Sequence, residues 1–130
     1  MSTTSASAVQ EITLVVVPSN DVDGQIAFYE SLGFEKRTDV PFGNEYRWVE
    51  VYPPHGTTGV ALPPPPPGGS AGKKETGIVL RSDDIDSTHA EMKSRGVDVD
   101  AEVSRMGDPV PPMYWFRDPE GNSLLVVQSS

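Results

Sequence analysis

The chain nearly repeats itself, and this constrains its fold more than any other feature. Ser19, Asp21, Val22, Asp23, Ala27, Ser31 and Gly33 recur in order, 63 positions later, as Ser82, Asp84, Ile85, Asp86, Ala90, Ser94 and Gly96. Six of the seven pairs are identities, and Val22 with Ile85 exchanges one apolar β-branched residue for another. A second block, Pro54-His55-Gly56 before Val60-Ala61-Leu62, lines up with Pro119-Glu120-Gly121 before Leu125-Val126-Val127 at an offset of 65, a shift that a loop absorbs. Such a chain contains two copies of a unit of about 50 residues, each too small to bury a stable core alone, so the copies share one.

Composition excludes several classes. With 36% hydrophobic and 22% charged residues the 130-residue chain suits one compact domain. It has no run of 18 apolar residues to span a membrane. Met1 to Gln10 is a Ser/Thr/Ala stretch without the basic-then-apolar order of a signal peptide. The expectation is a cytoplasmic protein with a disordered segment 1–10. The absence of cysteine removes disulfides, thiolate metal sites and a cysteine nucleophile. A net charge of −9, from 19 acidic against 10 basic side chains, argues against a nucleic-acid partner, because a polyanion needs cationic neutralisation. That charge serves solubility first and favours a cationic ligand only slightly.

Each half reads as βαβββ. Glu11 to Val17, rich in Ile, Thr and Val, is a strand. Ser19-Asn20-Asp21 caps a helix with Val22, Ile26 and Tyr29 on one face, and Gly33 stops it. Strands follow at Phe34 to Val40, Tyr46 to Tyr52 and Thr58 to Leu62. The second half places strands at Thr76 to Arg81, Val97 to Val103, Met113 to Arg117 and Ser123 to Gln128, with a helix over Asp84 to Arg95. The expected modules are 11–62 and 76–128, joined by a linker 63–75. The linker's five prolines, Pro63 to Pro67, form a stiff stretch, and the Gly/Ser/Lys stretch behind them is mobile.

Three of these segments together resemble the vicinal oxygen chelate superfamily of glyoxalases, bleomycin-resistance proteins and extradiol dioxygenases. They are Ser19 to Asp23 leading into Ala27-Phe28-Tyr29 and Leu32-Gly33-Phe34, Asp83 to Asp86 leading into Arg95-Gly96-Val97, and the closing Phe116-Arg117-Asp118-Pro119-Glu120-Gly121-Asn122. The resemblance runs from about Glu11 to Gln128. It implies an α+β fold: two tandem βαβββ modules forming a curved, mostly antiparallel eight-stranded sheet around a cavity, with helices on the outer face. It also implies a homodimer.

Enzymes of the superfamily hold a divalent metal with His, Glu or Gln on the first and fourth strands of each module. Carried over by motif spacing, those positions fall on Leu14, Val60, Gly77 and Leu125, and none has a ligating side chain. Shifting by one gives Thr13, Ala61, Thr76 and Val126, which are no better suited. No metal or other cofactor is therefore expected. His55 falls in a turn and is read as solvated, His89 as a hydrogen-bonded structural histidine. Asp21, Asp23, Asp83, Asp84 and Asp86 sit at helix starts, where capping explains them, and Asp118 to Gly121 reads as a turn.

Strand parity fills the cavity. Alongside the four vacant positions it should receive Ile12, Val16, Val79, Arg81, Leu62 and Val127. Val49 and Val51 should pack under the helix, which turns Trp48, Glu50 and Tyr52 inward, and the offset of 65 pairs these with Met113, Trp115 and Arg117. The expected ligand residues are thus Trp48, Glu50, Tyr52, Arg81, Met113, Trp115 and Arg117. Two tryptophans on one concave sheet make a platform for a flat ligand, with Glu50, Arg81 and Arg117 as orienting charges; the alternative is that both tryptophans merely fill a core. The reading is a metal-independent protein of the bleomycin-resistance type that sequesters an aromatic or cationic small molecule. Two alternatives stay open. One is a lyase, isomerase or dioxygenase of the same superfamily, with Glu50 as its one cavity acid or base. The other is a protein-interaction module using the proline-rich linker.

Overall fold

The computed structural model describes residues 8–43 and 45–130, so most of the expected disordered segment 1–10 lies outside the described residues. The first module comprises β1 (Leu14–Val16), α1 (Val22–Ser31), β2 (Glu35–Phe42), β3 (Tyr46–Tyr52) and β4 (Gly59–Ala61). The second comprises β5 (Glu75–Ser82), α2 (Ile85–Ser94), β6 (Asp98–Val99), β7 (Met113–Arg117) and β8 (Ser123–Gln128). The α+β fold of two βαβββ modules is as expected. The eight strands form two four-stranded sheets rather than one, in the orders β1-β4-β3-β2 and β5-β8-β7-β6. Within each sheet the first strand lies parallel to the last and the other pairs are antiparallel, because a parallel neighbour can be reached only by a long crossover, here the helix and hairpin between.

Both helices start as their sequences require. The Asp21 carboxylate accepts the Gly24 N–H at 3.1 Å, and the Asp84 carboxylate accepts the Ser87 N–H at 3.2 Å. They end at Gly33 and Gly96, whose φ values of 99° and 82° belong to the left-handed region. The strand expected over Val97 to Val103 shrinks to two residues. The ladder gives out at Asp100: its N–H still donates to the Trp115 carbonyl at 3.0 Å, but its side chain, not a strand carbonyl, accepts the Trp115 N–H at 3.1 Å, and the next bridge is Ser104 to Met113.

Alternation along the strands builds one shared core. Val49, Val51, Val60, Tyr114, Phe116, Leu124 and Val126 are buried on one face of their sheets and join Ile26, Tyr29, Ile85 and Met92 in a single cluster. The helices are common property of the two modules. The Phe28 ring of α1 lies 6.2 Å from Phe116 of β7, and Arg95 beyond α2 donates to the Ser31 carbonyl at the end of α1.

The turn after β7 locks this arrangement. Buried Asp118 accepts from Gln25 Nε2 at 2.9 Å, the Tyr29 hydroxyl at 3.0 Å and Asn122 Nδ2 at 2.9 Å. Burial, and then the Asp118 charge, push the Tyr29 phenol far above its ordinary range, so it stays a donor. Glu120 reaches the start of α1 and accepts the Asn20 and Asp21 N–H groups at 2.9 and 3.0 Å. The Gly/Ser/Lys stretch is tied to the same turn, through Lys73 N–H to Glu120 O at 3.0 Å and Lys74 N–H to Asn122 Oδ1 at 3.1 Å. Among the described residues no helix is long and apolar enough to cross a membrane.

Candidate functional site

The helices cover one face of each sheet, and the other face is open. Cross-strand pairing decides which side chains share it. In the first sheet Val16 pairs with Ala61, Ala61 with Glu50, Glu50 with Thr38, and Trp48 with Val40. In the second, Val79 pairs with Leu125 and Leu125 with Trp115, while Arg81 and Met113 both pair with Val127. Trp48, Glu50, Tyr52, Met113, Trp115, Arg117, Leu14, Val16, Leu125 and Val127 therefore fall on open faces by parity.

Val60 and Leu62 do not. Both are buried, Val60 pairs with Val51 on the helix side, and Gly59 and Ala61 take the open face instead. The turn between β3 and β4 holds one residue more than that between β7 and β8, so the true offset of the last strand is 64 rather than 65. The position expected at Val60 belongs at Ala61. Ile12, ahead of β1, is exposed.

Glu50 is the centre of the first open face. Its Oε2 accepts the Trp48 indole N–H at 2.7 Å; Oε1 accepts the Tyr52 hydroxyl at 2.7 Å and, at the long limit of 3.4 Å, the Thr38 hydroxyl. The indole first and the phenol second hold its carboxyl below the usual carboxylate range. Reciprocally, the bond to Glu50 raises the Tyr52 phenol. The Tyr52 ring lies over Gly59, where a Cβ would come within 2.6 Å of it, and the Arg37 guanidinium sits 4.7 Å above its centroid. Phe42 completes an aromatic row, 6.4 Å from Trp48 and 5.6 Å from Tyr46.

On the second face the charge is consumed internally. Arg117 donates to Asp98 at 2.8 Å and to Asp100 at 3.0 Å, which raises its own pKa and lowers that of Asp98. Trp115, 39% exposed, stands between Met113 and Leu125. Val79 is 56% exposed, and Arg81 at the sheet edge has one ionic partner, Asp83, at 3.9 Å. Sequence reasoning missed Thr38, Val40 and Phe42, although their alternation in β2 was legible, because which face they share depends on pairing across a register shift between Lys36 and Thr38. Asp98 and Asp100 carried no signal, since their partner lies on β7.

Residues 11–126 match the model of the Glyoxalase/Bleomycin resistance protein/Dioxygenase superfamily. The chain belongs to this superfamily. It is similar to TnmS3, an antibiotic binding protein from Streptomyces sp. CB03234, at 33% identity, covering 95% of this chain and 99% of that one with a TM-score of 0.81. A superfamily member from Sphaerobacter thermophilus shares 31% identity over 93% of this chain and 98% of its own, with a TM-score of 0.83. The uncharacterized protein YetH of Bacillus subtilis is 29% identical over 92% of this chain and 99% of its own length.

The metal that superfamily enzymes hold on first and fourth strands finds no donors here. The corresponding open-face residues are Leu14, Val16, Gly59, Ala61, Gly77, Val79 and Leu125, which carry hydrocarbon or no side chain. Glu50 is engaged by three neutral donors, and among the described residues no three His, Cys, Asp or Glu gather into a metal-binding group. The residues present do not fit a metal. His89 is structural: Nε2 lies 2.7 Å from the Asp100 carbonyl and its ring meets Tyr114 edge-on at 4.8 Å.

A cleft between the modules lies elsewhere. It encloses about 800 Å³ between the modules, lined by Leu32, Phe34, His55, Leu80, Met92 and Phe116, and of the seven expected ligand residues only Arg81 borders it. The chemistry of Trp48, Glu50 and Trp115 is on the open faces, not in this cleft, whose walls are the edges of the shared core.

Proposed function

We propose that this protein is a metal-independent small-molecule-binding member of the superfamily, which holds a flat aromatic compound against the tryptophan-bearing open faces of its sheets. One observation carries the reading: six of the ten exposed large hydrophobic side chains among the described residues fall on those faces, Val16, Val40, Phe42 and Tyr46 on the face of Trp48 and Val79 and Trp115 on the other. Clustered exposed apolar side chains of this kind mark a binding surface. The antibiotic binding named for TnmS3 supports it by similarity.

A single chain leaves each face uncovered, and a second copy is the natural cover. The proposed site is thus enclosed in a homodimer, with the aromatic row of one protomer and the Trp115 face of its partner as its walls. An area of about 800 Å² per partner is the usual size for a stable pair.

The test is a tryptophan-fluorescence titration with 2-naphthol, in the presence of a chelator and again with added Zn, Ni, Mn or Fe. Saturable quenching in chelator, reduced in both Trp48→Phe and Trp115→Phe, is the expected result. A response that appears only with metal would refute it.

A further inference from the structure

We infer that the first open face selects a cation, so that the ligand of the proposed site is a flat aromatic compound bearing a positive charge. This deepens the proposed function and rests on it. The reason is that Glu50 is a half-buried carboxylate without a counter-ion among the described residues. A carboxylate has about four lone-pair positions. Here the indole of Trp48 and the hydroxyls of Tyr52 and Thr38 use three, the third weakly. All three donors are neutral: they fix the direction of the carboxylate and keep it ionised without cancelling its charge.

The nearby cations are committed elsewhere. Arg37 donates to Glu35 at 2.9 Å and to the Gly56 carbonyl at 3.4 Å while stacking on the far partner, Tyr52. Arg47 is held by Asp39 at 2.7 Å and Asp23 at 2.8 Å. Across β4 the neighbour is Ala61, which contributes no polar group.

An incoming ammonium or ring-borne cation would meet an ionised acceptor already oriented by Trp48 and Tyr52, beside an indole whose π-face attracts positive charge itself. The second face differs, because its carboxylates, Asp98 and Asp100, are both engaged by the Arg117 guanidinium rather than by neutral donors alone. It contributes apolar surface from Met113, Trp115, Leu125 and Val127, with Arg81 confined to the sheet edge. Cation at one wall and hydrocarbon at the other describe an amphipathic aromatic cation.

The experiment compares two probes of nearly the same shape, 1-methylquinolinium and neutral 1-methylnaphthalene, by equilibrium dialysis against the full-length protein. A merely apolar surface prefers the hydrocarbon. Here the cation should bind at least about tenfold more tightly, a margin of about 1.4 kcal/mol, and the margin should shrink as salt is raised. Glu50→Gln, shown folded by its thermal melt, should invert the order. Equal binding, or preference for the hydrocarbon in the unaltered protein, would overturn the inference while leaving aromatic binding intact. If neither probe binds, and 2-naphthol also leaves the tryptophans unquenched, the proposed function falls and this inference with it.

Discussion

Two sheets built on one repeated pattern handle charge differently on their open faces. On the first, Glu50 meets only neutral partners, an indole and two hydroxyls; on the second, the charge of Arg117 is paired with Asp98 and Asp100. The backbone repeats, with β1 beside β4 and β5 beside β8, and the buried faces carry the same kind of residue. What differs is how each module disposes of the one charged group that β3 or β7 turns to the open face. A repeated fold thus conserves what buries apolar area and leaves the solvent face free to diverge, since a change there costs little stability.

The sharpest way to break that contrast is to compare neighbours on β7 that point to opposite faces. Phe116→Ala removes a fully buried ring from the shared core and should cost about 3–5 kcal/mol in a denaturant titration. Trp115→Ala, one residue away and 39% exposed, should cost under about 1 kcal/mol while removing its part of the fluorescence response. Equal costs would mean that Trp115 is packed as tightly as the shared core.

A smaller effect tests the first face. Gly59→Ala puts a methyl group 2.6 Å from the Tyr52 ring, which must tilt away and weaken its hold on Glu50. The expected loss is about 1–2 kcal/mol, with weakened retention of 1-methylquinolinium. A fully tolerated substitution would show that Tyr52 does not position Glu50.

The smallest effect is a pH dependence. The folded protein holds the Glu50 carboxyl below its usual value, so this group stabilises the fold in full above the ordinary carboxylate range and loses the contribution as pH falls through its lowered pKa. Thermal melts of the unaltered protein and Glu50→Gln, from about pH 7 to about pH 3, should therefore converge on the acid side. A gap that widens on acidification would contradict the sign.

Most of the fold was legible in the residues. The repeat gave two βαβββ units, Asp21 and Asp84 marked the helix starts, and Tyr46–Tyr52, Met113–Arg117 and Ser123–Gln128 form strands with the bounds that alternation indicates. The site was legible in part. Trp48, Glu50 and Trp115 alternate with core residues on their strands, so their face followed from parity alone. Val60 and Leu62 were misplaced because parity is exact within a strand but cannot be carried across a turn whose length differs by one residue.

The sequence by itself determined what is periodic: element order, caps, the buried stripe and the lack of ligating side chains at the superfamily's metal positions. Those properties are local, fixed by dihedral preference and by the period of two or 3.6 residues. The tertiary structure decided what depends on partners distant along the chain. It joined Asp118 to Tyr29 and Gln25, split the strands into two sheets sharing their helices, bound Arg117 to aspartates and left Glu50 to neutral donors. A side chain's charge is written in the sequence, but whether it is cancelled depends on what folding brings within a few ångströms of it.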